Sequence, residues 1–125
     1  MNNLIIDTAG EKIFLKIISN DKEYNIKHDN CRENFDELVN LVFSFLEVNF
    51  INLSKIDNIF INQGPGKFTS IRSAISIVKA LKITKSVNIY GYYTSQISNN
   101  NYNILLKLLE EGRLTKNFIE PKYLN

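Results

Sequence analysis

The chain has 125 residues, 44% hydrophobic and 22% charged, with five Gly and two Pro. That is one domain's worth of chain with enough apolar material for a packed core, which excludes wholesale disorder and leaves no room for a two-lobed enzyme with an interdomain cleft. The net charge of +2 does not announce a nucleic-acid binder, the apolar runs are too short to span a membrane, and the opening Met1–Asp7 has no signal-peptide pattern. The single cysteine, Cys31, has no partner for an internal disulfide, so a reducing, cytoplasmic location is expected.

The first third reads as strands. Leu4-Ile5-Ile6 is a short buried strand closed by the turn residues Asp7-Thr8-Ala9-Gly10. Lys12 to Ile18 and Glu23 to Lys27 alternate in part and flank Asn20-Asp21-Lys22, a natural hairpin tip, so a three-stranded antiparallel meander is predicted. Over residues 32–50 the period becomes helical, with Phe35, Leu38, Val39, Val42 and Leu46 on one stripe. Asp29 or Asn30 is the better cap for that helix, and Glu33 stands at the capping-box position behind Asn30.

Ile56 to Ile61 is a buried strand, Gln63-Gly64-Pro65-Gly66 a sharp loop, and Phe68 to Leu81 a second helix with Phe68, Ile71, Ala74, Ile75 and Val78 on one face. Val87 to Tyr90 is another strand, ended by Gly91. Beyond the boundary at Asn99-Asn100-Asn101, Tyr102 to Glu111 makes a short helix stopped by Gly112, and Phe118 to Asn125 an extended tail. The pattern is β-β-β-α-β-α-β, a meander followed by a parallel, helix-crossed pair, with a C-terminal helix and tail: an α/β fold.

Charge is unevenly spread. Residues 1–57 carry ten acids against six bases, whereas residues 58–109 carry six bases (Lys67, Arg72, Lys79, Lys82, Lys85, Lys107) and no acid. That basic middle suits tRNA phosphates, an acidic partner, or a solvated helix face.

Gly64-Pro65-Gly66-Lys67-Phe68-Thr69 stands between a strand and a helix, where phosphate loops stand. A Walker A loop needs Gly where Ile61 is and Ser or Thr where Phe68 is, so that reading fails. An anion site at the helix N-terminus beside Lys67 remains, as does a plain rigid turn. Asp7-Thr8-Ala9-Gly10 resembles the phosphate-and-magnesium hairpin of actin-like kinases, chemistry that requires a second lobe; a simple hairpin turn is preferred. His28 and Cys31 have metal-like spacing but lack two further ligands, so neither a metal site nor any other cofactor is expected.

The helix surfaces say more. Beside the core stripe of the first helix runs a second, Leu41, Phe45 and Val48, and Phe43 and Phe50 widen the apolar arc to roughly twice what a one-sided helix needs. On the second helix Thr69, Ser73, Ser76 and Ala80 form a row of small residues that lets another helix approach closely. These seven residues are the expected partner-binding set, unless the C-terminal helix covers them.

Leu4-Ile5-Ile6-Asp7-Thr8, then Gly64-Pro65-Gly66-Lys67-Phe68-Thr69-Ser70-Ile71-Arg72, and the ending Glu120-Pro121-Lys122-Tyr123-Leu124-Asn125 together resemble the TsaB (YeaZ) family, whose loop reads G-P-G-S-F-T-G-L-R and whose tail reads P-x-Y-L-R. The match covers residues 1–98 well and 102–125 more loosely. Gly64, Pro65, Gly66, Phe68, Thr69 and Arg72 are its motif-loop residues. Lys67, Ser70, Ser73 and Ala74 depart from the pattern, and Asn34 stands where a His is usual.

The resemblance implies a single actin-like, ribonuclease-H-type lobe over residues 1–98, with residues 99–125 supplying a linker, helix and tail packed on the same domain, and most of the family's second lobe missing. It implies a non-catalytic subunit of tRNA threonylcarbamoyladenosine synthesis, bound through its first two helices as a heterodimer with the TsaD-type transferase. A TsaE-type ATPase joins such pairs, tRNA is met indirectly through the complex, and the same helices are compatible with a homodimer when the partner is absent. The rival readings are an independent anion- or nucleotide-binding protein using Asp7, Thr8 and the Gly64–Lys67 loop, and a subunit that contacts tRNA directly through Lys67, Arg72 and Lys79.

Overall fold

The computed structural model describes residues 1–84, 86–116 and 119–122; Phe118 and residues 123–125 of the expected tail lie outside them. Among these residues six strands form one mixed sheet: β1 (Asn2–Asp7), β2 (Lys12–Ser19), β3 (Lys22–Asp29), β4 (Asn58–Asn62), β5 (Asn88–Tyr92) and β6 (Thr115–Lys116). Their order is β3-β2-β1-β4-β5-β6, with β1, β4 and β5 parallel and the other pairs antiparallel. The β2–β3 hairpin turns through Asn20 and Asp21, where Asn20 takes a φ of 53°, a conformation Asn tolerates better than most residues.

Among the described residues, four α-helices cover the sheet: α1 (Arg32–Asp36), α2 (Leu38–Val48), α3 (Phe68–Thr84) and α4 (Ile104–Glu110). Side chains alternate across the strands, so Leu4 and Ile6 face one side while Ile5 faces the other. On the first side Leu38, Val42, Phe45 and Leu46 of α2 and Ile71, Ala74, Ile75 and Val78 of α3 close the main core. On the opposite side Leu105 and Leu108 of α4 pack over Ile5, Phe60 and Tyr92. Complete burial of each such aliphatic side chain stabilises by roughly 1.5–3 kcal/mol, which anchors a helix too short to hold itself.

Helix ends follow local chemistry. The amide of Gly112, at φ 66°, donates to the Leu109 carbonyl at 3.1 Å, and Arg113 donates to Leu108 at 3.0 Å, so α4 ends in a Schellman turn at the expected glycine.

The structure corrects three expectations. The single helix expected over 32–50 is two, because Glu37 (φ −100°, ψ 17°) leaves helical geometry and its amide turns back to the Asn34 carbonyl in a tightened turn. Asn30 does not cap α1; Cys31 occupies the cap position without a side-chain bond, and the Asn30 side chain is used elsewhere. The segment before the tail also contributes β6, paired with Tyr90 and Gly91 of β5.

Parallel strands are held in register by a side-chain ladder. Asn88 Nδ2 donates to Asn58 Oδ1 at 3.3 Å, Asn58 Nδ2 donates to Asn3 Oδ1 at 2.9 Å, and Asn3 Nδ2 reaches the Ile18 carbonyl at 3.3 Å. A one-residue slip of β4 would leave these buried amides unpaired, so the ladder selects one register.

Candidate functional site

The motif loop leaves β4 and is held from three sides. Gly64 has φ 105°, a region that disfavours side chains, and its amide donates to Asn62 Oδ1 at 2.7 Å. Gly66 lies so close to the preceding turn that an added Cβ would stand 2.3 Å from the Ala9 carbonyl oxygen, and the Lys67 amide donates to that same oxygen at 2.9 Å. From the β5 side, Thr94 donates its amide to Gly64 O at 3.0 Å and its hydroxyl to Pro65 O at 3.1 Å. From the tail, the Lys122 amide donates to Gln63 O at 2.7 Å, and Gln63 Nε2 donates to Glu120 O at 2.9 Å. The loop therefore fixes where α3 starts.

Asn30 completes the clamp. Its Nδ2 donates to the carbonyls of Thr8 and Gly10, each at 2.8 Å, and its Oδ1 accepts from the Ser70 hydroxyl at 2.7 Å. The Thr8 hydroxyl donates to the Ser70 carbonyl at 2.9 Å. Lys67, expected beside an anion site, instead places its ammonium 3.2 Å from Asn30 O and 3.6 Å from the Glu11 carboxylate. Of the motif residues, Phe68, Thr69 and Arg72 face outward from α3, with the Arg72 guanidinium 5.3 Å from the Phe68 ring centre.

Asp7, at the end of β1, is buried and saturated. Oδ1 accepts from the Ala9 amide at 3.0 Å and Asn62 Nδ2 at 3.2 Å, and Oδ2 accepts from the hydroxyls of Tyr92 at 3.1 Å and Tyr102 at 2.8 Å. Burial, and then the charge of Asp7, raise the titration of both phenols, so they remain proton donors. Tyr102 also stacks on Phe14 with ring centres 4.5 Å apart. A cavity of about 360 Å³ opens beside the cluster, with Lys12, Lys27 and Phe14 in its lining; Lys12 is paired with Asp29. A ligand approaching the Asp7 carboxylate there meets groups already bonded to one another. Among the described residues no three His, Cys, Asp or Glu side chains group as metal ligands.

Apolar side chains are also exposed on the outer side of α1–α3. Because α4 packs on the opposite face of the sheet, it does not cover this one. Val39 and Phe43 of α2 are each 43% exposed and flank a groove with Ile77, Ala80 and Leu81 of α3, about 260 Å³ in volume. It adjoins a second groove between α1 and α3, bordered by Phe35, Thr69, Ser73 and Ser76. Thr69, Ser76 and Ala80 are exposed and Ser73 half-buried, so the small-residue row faces outward as expected.

On α2 the faces divide differently from the expectation. Val48 is 73% exposed and Leu41 half-buried, but Phe45 is only 5% exposed and belongs to the core, while Val39, expected inside, is outside. Leu38, Val42 and Leu46 are inside as expected, and of the two side chains on the edges of that stripe it is Phe45 rather than Val39 that points at the sheet. Sequence reasoning also missed the Asn62, Tyr92 and Tyr102 partners of Asp7, whose only signal was an Asn and two Tyr at positions otherwise read as strand, loop or helix start.

No family model matches the chain. Among curated proteins, the tRNA threonylcarbamoyladenosine biosynthesis protein TsaB of Buchnera aphidicola subsp. Baizongia pistaciae is 26% identical over 81 residues, covering 64% of this chain and 36% of that protein. The TsaB of Buchnera aphidicola subsp. Schizaphis graminum is 26% identical over 94 residues, 75% of this chain and 45% of that protein. The chain thus spans less than half the length of these relatives.

Among solved structures, YeaZ from Pseudomonas aeruginosa superposes with a TM-score of 0.71 at 22% identity, over 89% of this chain and 49% of that one. RuvC of T. thermophilus, solved with a Holliday junction substrate, superposes with a TM-score of 0.60 at 10% identity, over 93% of this chain and 99% of that one. The meander-plus-parallel sheet, crossed by α3 behind a glycine-proline loop, is accordingly a single ribonuclease-H-type lobe of the actin-like kind. Within that class the chain is similar in sequence to the two curated TsaB proteins over 64% and 75% of its length.

Proposed function

We propose that this chain serves tRNA threonylcarbamoyladenosine biosynthesis as a non-catalytic subunit that docks onto a TsaD-type transferase through the outer face of α1–α3. The observation that carries this reading is the uncovered groove of Val39, Phe43, Ile77 and Ala80, continuous with the small-residue row of α3 and left open because α4 lies across the sheet. Apolar side chains of this size gathered on one face are a liability in an isolated protein and an asset at an interface. The sequence relatives named TsaB supply the pathway, and the family resemblance supplies the helix-bundle mode of docking.

The absence of catalysis in this reading rests on Asp7. Its four acceptor positions are filled by protein donors, so the one acid placed where actin-like kinases hold phosphate and magnesium acts as a structural hub. Co-expression with the transferase homologue of the same organism, followed by affinity capture and size-exclusion chromatography, tests the proposal. Stable co-elution is expected. Clean separation, or a measurable heat of ATP–magnesium binding to the isolated chain, favours the nucleotide-binding reading instead.

A further inference from the structure

Strand β3 stands at one end of the sheet, and none of the described residues pairs with its outer side. It is eight residues long and keeps one unbroken register with β2, from Lys12 opposite Asp29 to Ser19 opposite Lys22, whereas β6 at the other edge has two residues. Directly beyond β3, the Asn30 amide donates to the Glu11 carbonyl at 3.0 Å, towards β2. Backbone direction alternates along a strand, so Tyr24, Ile26 and His28 also turn their amides and carbonyls to β2, while those of Glu23, Asn25 and Lys27 turn outward. Glu23, Asn25, Ile26 and Lys27 are exposed. A long edge without a bulge or a proline is a template for another strand.

The side chains along this edge say which strand fits. Directly opposite residues of an antiparallel pair share a face, so a second copy related by a two-fold axis normal to the sheet pairs odd positions with odd and even with even. An axis through Asn25 sets Glu23 against Lys27 of the second copy, Tyr24 against Ile26, and Asn25 against itself. Lys27 lies over the Phe14 ring and has no acidic partner among the described residues, and Glu23 holds only Lys16, at 2.9 Å. Asp21 and Asp29 meet at the ends of this register, but Asp21 lies in the turn and Asp29 is already paired with Lys12. Moving the axis to Ile26 opposes Glu23 to Asp29, and moving it to Lys27 opposes that lysine to itself. An axis through Tyr24 shortens the ladder and loses the opposite-charge pair. The order acid, amide, base about Asn25 is thus its own complement when a second copy runs antiparallel.

We propose that two copies of this chain pair antiparallel through β3, centred on Asn25, and join their sheets into one. The surface shares no residue with the α1–α3 grooves, and the proposal does not rest on the docking reading above. A single strand pair buries less area than a permanent interface, so the dimer is weak, reversible and dependent on concentration.

Analytical ultracentrifugation of the purified full chain should show a monomer–dimer equilibrium. Glu23→Lys alone and Lys27→Glu alone each set like charges opposite one another, and each should raise the dimer dissociation constant about tenfold. An equimolar mixture of the two variants again opposes lysine to glutamate and should regain association. Asn25→Pro removes an outward amide that the single chain does not use, a change tolerated at a sheet edge, and should abolish the dimer. Circular dichroism reports that each variant is folded. A wild-type chain that stays monomeric up to about 1 mM overturns the proposal and leaves the edge to a foreign strand. A dimer that withstands Asn25→Pro and both charge reversals overturns it as well, as does one lost in Ser76→Phe, which would lie on the α1–α3 face. A mixture that fails to regain association overturns the register.

Discussion

The Tyr102 hydroxyl donates to Asp7 Oδ2 at 2.8 Å, joining the first strand to the segment before the last helix across 95 positions of sequence. With Tyr92 on the same oxygen, this bond closes one face of the sheet over the strand end that carries Asp7. Tyr102→Phe keeps the stacking on Phe14 and removes only the donor. It should lower stability by about 1.5–3 kcal/mol, the range for a hydrogen bond to a charged group, measured by urea unfolding.

The same pair sets an alkaline limit. Both phenols hold their protons above the usual tyrosine range in the folded state, whereas in the unfolded chain they ionise near pH ~10. Above that pH the unfolded state binds fewer protons than the folded one, so stability is fully present below about pH 9 and falls as pH climbs past about 10. Thermal melts between pH 8 and pH 11 should show this loss, and Tyr102→Phe should reduce its slope. A slope unchanged by the substitution would contradict the assignment.

Gly66 and Gly10 make a matched pair. A Cβ on Gly66 collides with the Ala9 backbone at 2.3 Å, whereas one on Gly10 meets nothing within 4 Å. Gly66→Ala should cost about 2 kcal/mol or more by driving the loop off the β1–β2 turn, and Gly10→Ala should stay within about 0.5 kcal/mol. Denaturation midpoints of the two variants check the contrast.

Asn30 and Ser70 act as one unit. Asn30→Ala strands two carbonyls and a buried hydroxyl, and should destabilise by roughly 2–3 kcal/mol; Ser70→Ala alone should cost about 1 kcal/mol. Because the two touch at 2.7 Å, the double variant should be less destabilised than the sum of the singles. Strict additivity would mean that the contact contributes nothing.

Two phenylalanines two positions apart on α2 should behave oppositely. Phe45→Ala opens the core and should cost about 3–5 kcal/mol, whereas Phe43→Ala, at the exposed groove, should leave the isolated chain within about 1 kcal/mol of wild type and weaken capture of the transferase.

How much of this was legible beforehand follows the range of the interactions. The strands and α3 announce themselves through local alternation and helical spacing, and Gly112 ends α4 where its missing Cβ permits a left-handed turn. The outward row Thr69, Ser73, Ser76 and Ala80 was legible for the same reason, since one uninterrupted helix keeps its phase. Glu37 was not, because no Gly or Pro marks the break and Phe35, Leu38 and Val42 fit one continuous helix equally well; Phe45 and Val39 stand on opposite edges of the Leu38–Val42–Leu46 stripe, and spacing alone does not say which edge faces the sheet. Asn30 has the local signature of a cap, and only its contacts with Thr8, Gly10 and Ser70, twenty to forty positions away, divert it. The Asp7 hub depends on partners 55 to 95 positions distant and leaves no local pattern.

The proposed docking seats the transferase on the outer face of α1–α3. Its most direct test is the affinity of purified transferase for the wild-type chain and for Ser76→Phe, an exposed position where a larger side chain has room in the monomer. The account predicts that Ser76→Phe melts within a few degrees of wild type and fails to bind. Equal affinity for the two would contradict it.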